Sequence, residues 1–266
     1  VTDADPQVLR PGLLAGRTAL VTGAGTGIGR AVALRLAGLG ALVVGVGRRP
    51  QPLAGTAGLA APGRFVARPL DVRRPEQVTD LIAEVGRRYG LDILVNNAGG
   101  QFVAPATGIS PRGFAAVADL NLTAVTRLTE SAHPWLAARG HGRVVNVSLS
   151  APLAGIPGLA HSAAARAGVL GLTRSLAERW SADGIRLNCL APGTVLTDGV
   201  RHELTGTALA EVLRRTPLGR ATTPDEVAEL VGFLAGPAGE WITGQLIALD
   251  GGATLVGAAG ALLHHG

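Results

Sequence analysis

Thr22-Gly23-Ala24-Gly25-Thr26-Gly27-Ile28-Gly29 follows a short apolar run, Thr18–Thr22, and leads into Ile28, Val32, Leu34, Leu36 and Leu39, apolar residues at helical spacing that stop at Gly40. Strand, glycine turn and helix in that order suit a dinucleotide pyrophosphate. Glycines let the backbone turn tightly and come close to the anion, while the helix start offers free N–H groups and the positive end of its dipole. The spacing marks Thr22, Gly23, Gly25, Thr26, Gly27, Ile28 and Gly29 as candidate cofactor contacts.

The same alternation runs on through the chain. Apolar strand-like runs fall at Ala41–Val46, Phe65–Leu70, Leu91–Val95, Gly142–Val147, Ile185–Leu190 and Gln245–Leu249. Helical patterns fall at Pro75–Tyr89, Pro111–Arg139, His161–Asp183 and Pro224–Leu234. The stretch Pro50–Gly63 is too rich in Pro and Gly to predict a helix, and Thr197–Thr216 reads as a polar, weakly helical insertion. Seven short strands separated by helices predict a single-domain α/β fold, a doubly wound (Rossmann-type) seven-stranded parallel sheet with helices on both faces. The expected layout is a polar leader over 1–16 lying on the surface, the domain over 17–253 with a substrate-loop insertion near 197–217, and a tail over 254–266.

Composition narrows the function classes. Of 266 residues, 47% are apolar and 16% charged, enough for a large core. Aromatics make up 3%, too few for base-stacking platforms, and the net charge of +5 comes from arginines scattered among acids. The sequence therefore speaks against nucleic-acid binding, which needs a contiguous basic face. All 24 basic residues are arginine. The single cysteine, Cys189, excludes an intrachain disulfide and argues against a Cys-built metal site, so no metal is expected. No apolar run is long enough to span a membrane and the first residues are polar, which points to a cytoplasmic protein.

The chain resembles the short-chain dehydrogenase/reductase family from about Leu13 to Gly252. The resemblance rests on the glycine turn, Asp71-Val72, Asn96-Asn97-Ala98-Gly99, Asn121, Pro192-Gly193 followed by Thr197, and Gly244-Gln245 with Asp250-Gly251-Gly252. It implies cofactor contacts from Asp71, Val72, Asn97, Ala98, Gly99, Pro192, Gly193 and Thr197, the last orienting a nicotinamide carboxamide, and a dimer or tetramer built on the two long helices. From the residues alone, Asn96 and Asn97 read equally well as sheet-packing amides. Between Ala41 and Leu70 there is no acid to read a ribose 2′-hydroxyl, and Arg48-Arg49 close the second strand, so charge favours NADP(H).

The family's usual tyrosine and lysine, four residues apart, correspond here to Ser162 and Arg166 within His161-Ser162-Ala163-Ala164-Ala165-Arg166. The usual serine falls at Leu149, between Ser148 and Ser150. The only tyrosine, Tyr89, ends a surface-type helix. Within the family the sequence is most similar to the peroxisomal-type trans-2-enoyl-CoA reductases, on Pro11-Gly12-Leu13-Leu14, Asn96-Asn97-Ala98-Gly99-Gly100-Gln101-Phe102, Asn121-Leu122-Thr123, His161-Ser162 and Ala165-Arg166-Ala167-Gly168-Val169. That branch carries a serine at the tyrosine position. Its proposed tyrosine donor corresponds here to Leu170, so no proton donor is assigned.

The resemblance implies NADPH-dependent reduction of an enoyl thioester, on CoA or a carrier protein. Ser162, Asn121 and Ser148 or Ser150 would be hydrogen-bond donors to an enolate oxygen and Arg166 a ribose anchor. His161 is a candidate substrate-facing donor; adjacent helix residues point about 100° apart, which argues against a Ser-His dyad. Open alternatives are a carbonyl reductase acting without tyrosine, a redox-neutral isomerase or cyclase, and a non-catalytic NADP-binding subunit. His133 and His265 read as structural or solvated.

Overall fold

In the computed structural model, which describes residues 9–149, 157–203 and 206–255, the apolar runs assemble into one parallel sheet. Its strands are β1 (Thr18–Thr22), β2 (Leu42–Gly47), β3 (Phe65–Pro69), β4 (Ile93–Asn96), β5 (Arg143–Val147), β6 (Arg186–Pro192) and β7 (Leu246–Leu249), in the spatial order β3-β2-β1-β4-β5-β6-β7. The helices are α1 (Gly27–Gly38), α2 (Pro50–Leu59), α3 (Pro75–Tyr89), α4 (Pro111–Ala118), α5 (Ala124–Arg139), α6 (Ala160–Trp180), α7 (Asp198–Glu203), α8 (Thr207–Arg214) and α9 (Pro224–Ala235).

All five residues of β1 are buried, as a strand covered on both faces requires. Successive side chains serve opposite layers. Ala19 and Val21 join the core under α1 and α9 with Val32, Leu36 and Val231. Leu20 joins the core under α3, α5 and α6 with Ile82, Leu128 and Ala177. The doubly wound sheet read from the sequence is thus the observed fold, and no described helix is long and apolar enough to cross a membrane.

Two expectations are corrected. The Pro- and Gly-rich stretch after β2 does form a helix, α2. Pro50 and Pro52 fall in its first turn, where a missing N–H costs little. Leu53 is fully buried, and Thr56 Oγ donates to the Ala24 carbonyl at 3.0 Å, so tertiary packing offsets the poor propensity. Nor do all of residues 1–16 lie over the surface. Leu9 and Leu14 are buried in the α1/α9 core, and the Leu14 N–H donates to Leu39 O at 2.8 Å. Their apolar side chains close the end of that layer. Residues 1–8 and 256–266, including His265, lie outside the described residues.

The edge of the sheet where the strands begin is fastened by Asp92, whose side chain is 1% exposed. Its carboxylate accepts from the Thr18 N–H at 2.8 Å and Arg139 Nε at 2.9 Å, and meets His141 Nε2 at 2.8 Å and Arg17 Nη1 at 3.4 Å. One side chain therefore ties the starts of β1, β4 and β5 to the end of α5. Asp92→Ala leaves these cations and a buried N–H without their acceptor and is expected to cost about 3–5 kcal/mol in urea unfolding. A loss below about 1 kcal/mol, the range of an exposed pair, would mean that the arginines are satisfied by water.

Candidate active site

At the carboxyl ends of β1 and β4, where the strand order reverses, lies a cleft of about 540 Å³. Gly23, Gly25, Thr26, Gly27, Ile28 and Gly29 form one wall, and Asn97, Ala98 and Gly99 another. Arg48, Arg49, Asp71 and Val72 line one end, and Thr197, Asp198 and Gly199 lie over the mouth. These are most of the residues marked from the sequence.

Thr22 braces the cleft from below. It is buried, and its hydroxyl accepts from the N–H groups of Asn97 and Ala98, both at 3.0 Å. Pro192 and Gly193 also stand outside the lining; the Gly193 N–H donates to Leu249 O at 3.1 Å and fastens β6 to β7. The paired asparagines divide their work. Asn96 is buried, donating to Thr129 Oγ1 at 3.0 Å and Asn146 Oδ1 at 2.8 Å, whereas Asn97 reaches the cleft while its Nδ2 donates to Thr22 O at 2.9 Å.

The β2 end of the cleft is cationic. Arg48 and Arg49 are exposed, and neither forms an ion pair with a described residue. They stand at the start of α2, where Pro50 and Pro52 have removed two of the N–H groups that a helix start offers an anion. Charge recognition there falls to the arginine side chains. Asp71 is held by Arg73, whose Nη2 lies 2.6 Å from Oδ2, and this hydrogen bond lowers the carboxyl to about 2. Asp71 therefore stays an acceptor at neutral pH. The glycine turn, the α1 start and an exposed pair of cations fit a phosphorylated dinucleotide.

The inner end is built on α6 and a π-helical turn, Asp119–Thr123, that interrupts the α4–α5 run. Asn121 sits in this turn, fully buried. Its Nδ2 donates to Gly100 O at 2.8 Å, and its Oδ1 accepts from the Gly100 N–H at 3.1 Å and from Arg166 Nη2 at 3.4 Å. The amide expected as a donor to substrate is thus engaged in bracing a loop. Arg166 is buried and lies behind Gly99 rather than in the cleft lining; its Nη1 donates to Val147 O, and a Cβ at residue 99 would strike its guanidinium. Burial pulls its pKa down to about 10, so it remains a cation, and no described carboxylate pairs with it. Its Nε has no partner.

Ser162 is fully buried and donates from Oγ to Gln101 Oε1 at 2.6 Å. Ser148 Oγ and both ring nitrogens of His161 are buried without partners among the described residues, the His161 ring packing edge-on against Phe102 at 4.3 Å between centroids. Ser150 lies outside the described residues. Thr197 Oγ1 accepts from the Val200 N–H at 3.3 Å and so caps α7. Tyr89 is at the opposite edge of the sheet, its carbonyl accepting from Thr18 Oγ1 at 3.1 Å. His133 pairs with Asp183 at 2.9 Å, away from the cleft.

Several contributors escaped the sequence reading, Asp198 and Gly199 at the mouth among them. Arg30 donates from Nε and Nη2 to Gly25 O at 3.0 and 2.7 Å, locking the glycine turn from the first turn of α1. Leu120 lines the cleft from the π turn. Gln101 stands inside a quoted motif, but only the fold shows that it meets Ser162, which is 61 residues away.

A family model described as enoyl-(acyl carrier protein) reductase matches residues 23–254. A probable 2,4-dienoyl-CoA reductase of Bacillus subtilis is 35% identical over 243 residues, spanning 89% of this chain and 96% of its own. A 3-oxoacyl-[acyl-carrier-protein] reductase of Thermotoga maritima is also 35% identical, over 90% of this chain and 98% of its own. Among solved structures, one described as an NAD(P)-dependent gluconate 5-dehydrogenase from Beutenbergia cavernae, with NADP at low occupancy, superposes with a TM-score of 0.86. It is 36% identical over 92% of this chain and all of that one. Overall identity is thus the same to a relative named for an enoyl product as to one named for a keto substrate, and the choice between such chemistries falls to the site residues.

A Cβ at residue 29 would overlap Gly23 O and approach Asn97 Nδ2 to 2.5 Å. Gly29→Ala is expected to open the turn, cost about 3 kcal/mol in thermal unfolding and abolish dinucleotide binding by calorimetry. Unchanged affinity would show that this turn does not form the binding wall.

Proposed function

The chain belongs to the short-chain dehydrogenase/reductase family of NAD(P)-dependent oxidoreductases, and on that premise we propose that it reduces the 2,3 double bond of an enoyl thioester with NADPH. The carrying observation is the buried, acid-free cation Arg166 one helical turn from the buried hydroxyl Ser162, with no tyrosine near either. Carbonyl reduction asks for an acid to protonate an alkoxide. Enoyl reduction asks for positive charge and a donor near an enolate oxygen, and a positive site without a counterion meets that need. We read Ser162 and Arg166 as departures from the family's tyrosine and lysine.

A dinucleotide held by the glycine turn, Asn97 and Arg48-Arg49 would supply the hydride that reduces the β-carbon, leaving negative charge on the thioester oxygen until the α-carbon is protonated. The protein's share is electrostatic. Ser162 donates to the thioester oxygen, with Ser148 and His161, whose polar atoms have no partner among the described residues, as further donors. Asn121 holds the Gly100 loop and orients Arg166, whose charge acts through Asn121 and the β5 end. Thr197 and the Pro192-Gly193 turn position the nicotinamide side. Arg48 and Arg49 take the 2′-phosphate. We assign the protein to the cytoplasm, consistent with the free Cys189, and to a dimer or tetramer through the exposed small residues Ala164 and Gly171 of α6.

Ser162→Ala is expected to lower turnover with crotonyl-CoA by about 10²-fold while leaving NADPH affinity unchanged. Full activity in that variant, or NADPH binding without consumption by the unmodified protein on any enoyl thioester, would remove this reading. The double change Arg48→Ala with Arg49→Ala is expected to erase an NADPH-over-NADH preference of about 1–3 kcal/mol, measured by calorimetry. Equal affinity of the unmodified protein for both cofactors would make the two arginines ordinary surface residues.

A further inference from the structure

The loop from Gly100 to Ala104 lies across the start of α6 and is fixed at three points. Asn121 clamps Gly100 from both sides, Phe102 packs on His161, and the Ala104 N–H donates to Gly158 O at 3.0 Å. Gln101 is exposed, held between the first two fixings, and its amide is the one side-chain partner of the buried Ser162 hydroxyl among the described residues.

A serine has one hydroxyl proton. While Ser162 gives it to Gln101 Oε1, only lone pairs remain for anything else that approaches, and these repel a developing enolate oxygen. Turning the amide over about its last torsion puts Nε2 where Oε1 stood. The amide then donates to Ser162 Oγ, and the serine proton is released for the substrate. Both orientations fill nearly the same space, and because Asn121 pins the neighbouring Gly100, the backbone need not move.

We propose that Gln101 is a positioning residue that sets the direction of the Ser162 hydrogen bond, its N–H donating to Ser162 Oγ so that the Ser162 O–H donates to the thioester oxygen. No proton changes hands in this chain of two hydrogen bonds; each donor polarises the next. The inference rests on the enoyl-thioester reading above and supplies what that reading requires, a reason why the hydroxyl turns outward.

Two variants test it, both at an exposed loop position and each checked for folding by its melting curve. Gln101→Leu removes both ends of the amide and is expected to lower kcat with crotonyl-CoA about tenfold, with KM and the calorimetric affinity for unreactive butyryl-CoA within about threefold. In Gln101→Glu the introduced carboxylate can only accept at neutral pH and holds the serine proton. Its turnover relative to the unmodified protein is expected to be very low at pH 7.5 and to climb as the pH falls toward the carboxyl pKa of about 4.3, where a proton restores a donor. A Gln101→Leu variant with unchanged or improved kcat/KM would overturn the proposal, since the amide would then merely compete with substrate for Ser162. A flat relative pH profile for Gln101→Glu would overturn it as well. If the unmodified protein reduces no enoyl thioester, the enoyl reading itself fails and this inference with it. An active unmodified protein matched by both variants leaves the reading standing and removes only the inference.

Discussion

The hydroxyl of Thr22, at the last position of β1, accepts from the N–H groups of Asn97 and Ala98 and donates to Val95 O at 3.3 Å. β1 and β4 are adjacent parallel strands that feed connections to opposite sides, so their carboxyl ends splay apart and leave unpaired backbone groups. Thr22 satisfies those groups on the β4 side, and Asn97 answers by donating to Thr22 O. With the two ends tied, the glycine turn and the Asn97–Gly100 segment become facing walls of one cleft. The inner site continues from there: Gly100 is clamped by Asn121, Asn121 touches Arg166, and Gln101 meets Ser162. The glycine-turn wall and the inner side chains are joined by a run of hydrogen bonds of 2.6–3.4 Å, most of them part-buried.

Charge is distributed to match. At the sheet's starting edge the cations are neutralised, Arg17 and Arg139 by Asp92, and Arg143 and Arg186 by Glu240. At the other edge Arg49 and Arg166 have no carboxylate partner among the described residues, and Arg48 acts on Asp71 through space without an ion pair. An exposed free arginine costs almost nothing, but a buried one without a counterion loses solvation that nothing in the resting protein returns. Arg166 is the costly case, and the proposed reaction would give that cost a use, since Arg166 stands one helical turn from Ser162.

The strand–turn–helix signature and the seven apolar runs made the sheet legible, because a parallel strand buried on both faces writes a nearly continuous apolar run into the sequence. The cleft walls were legible for the same reason, since a phosphate site needs glycines next to a helix start. What the sequence hid were contacts decided by packing. α2 forms despite two prolines because Leu53 is buried beside Gly47 at the end of β2 and Thr56 donates to Ala24 O in the glycine turn. Leu9 and Leu14 enter the core although their neighbours are polar. Asn121 reads as a polar group on a helix free to meet a ligand, yet the π turn carries it onto the Gly100 backbone. Gln101 and Arg30 act through partners whose positions only the folded chain defines.

Hydride placement tests the central claim most directly. Crotonyl-CoA reduced with NADPH deuterated at C4, with each face labelled in turn, is expected to give butyryl-CoA carrying one deuterium at C3 and none at C2 from one of the two labelled cofactors, and unlabelled butyryl-CoA from the other. Deuterium delivered only to the carbinol carbon of a keto substrate, with crotonyl-CoA returned unlabelled and unreduced, would contradict the account and place the protein among the carbonyl reductases.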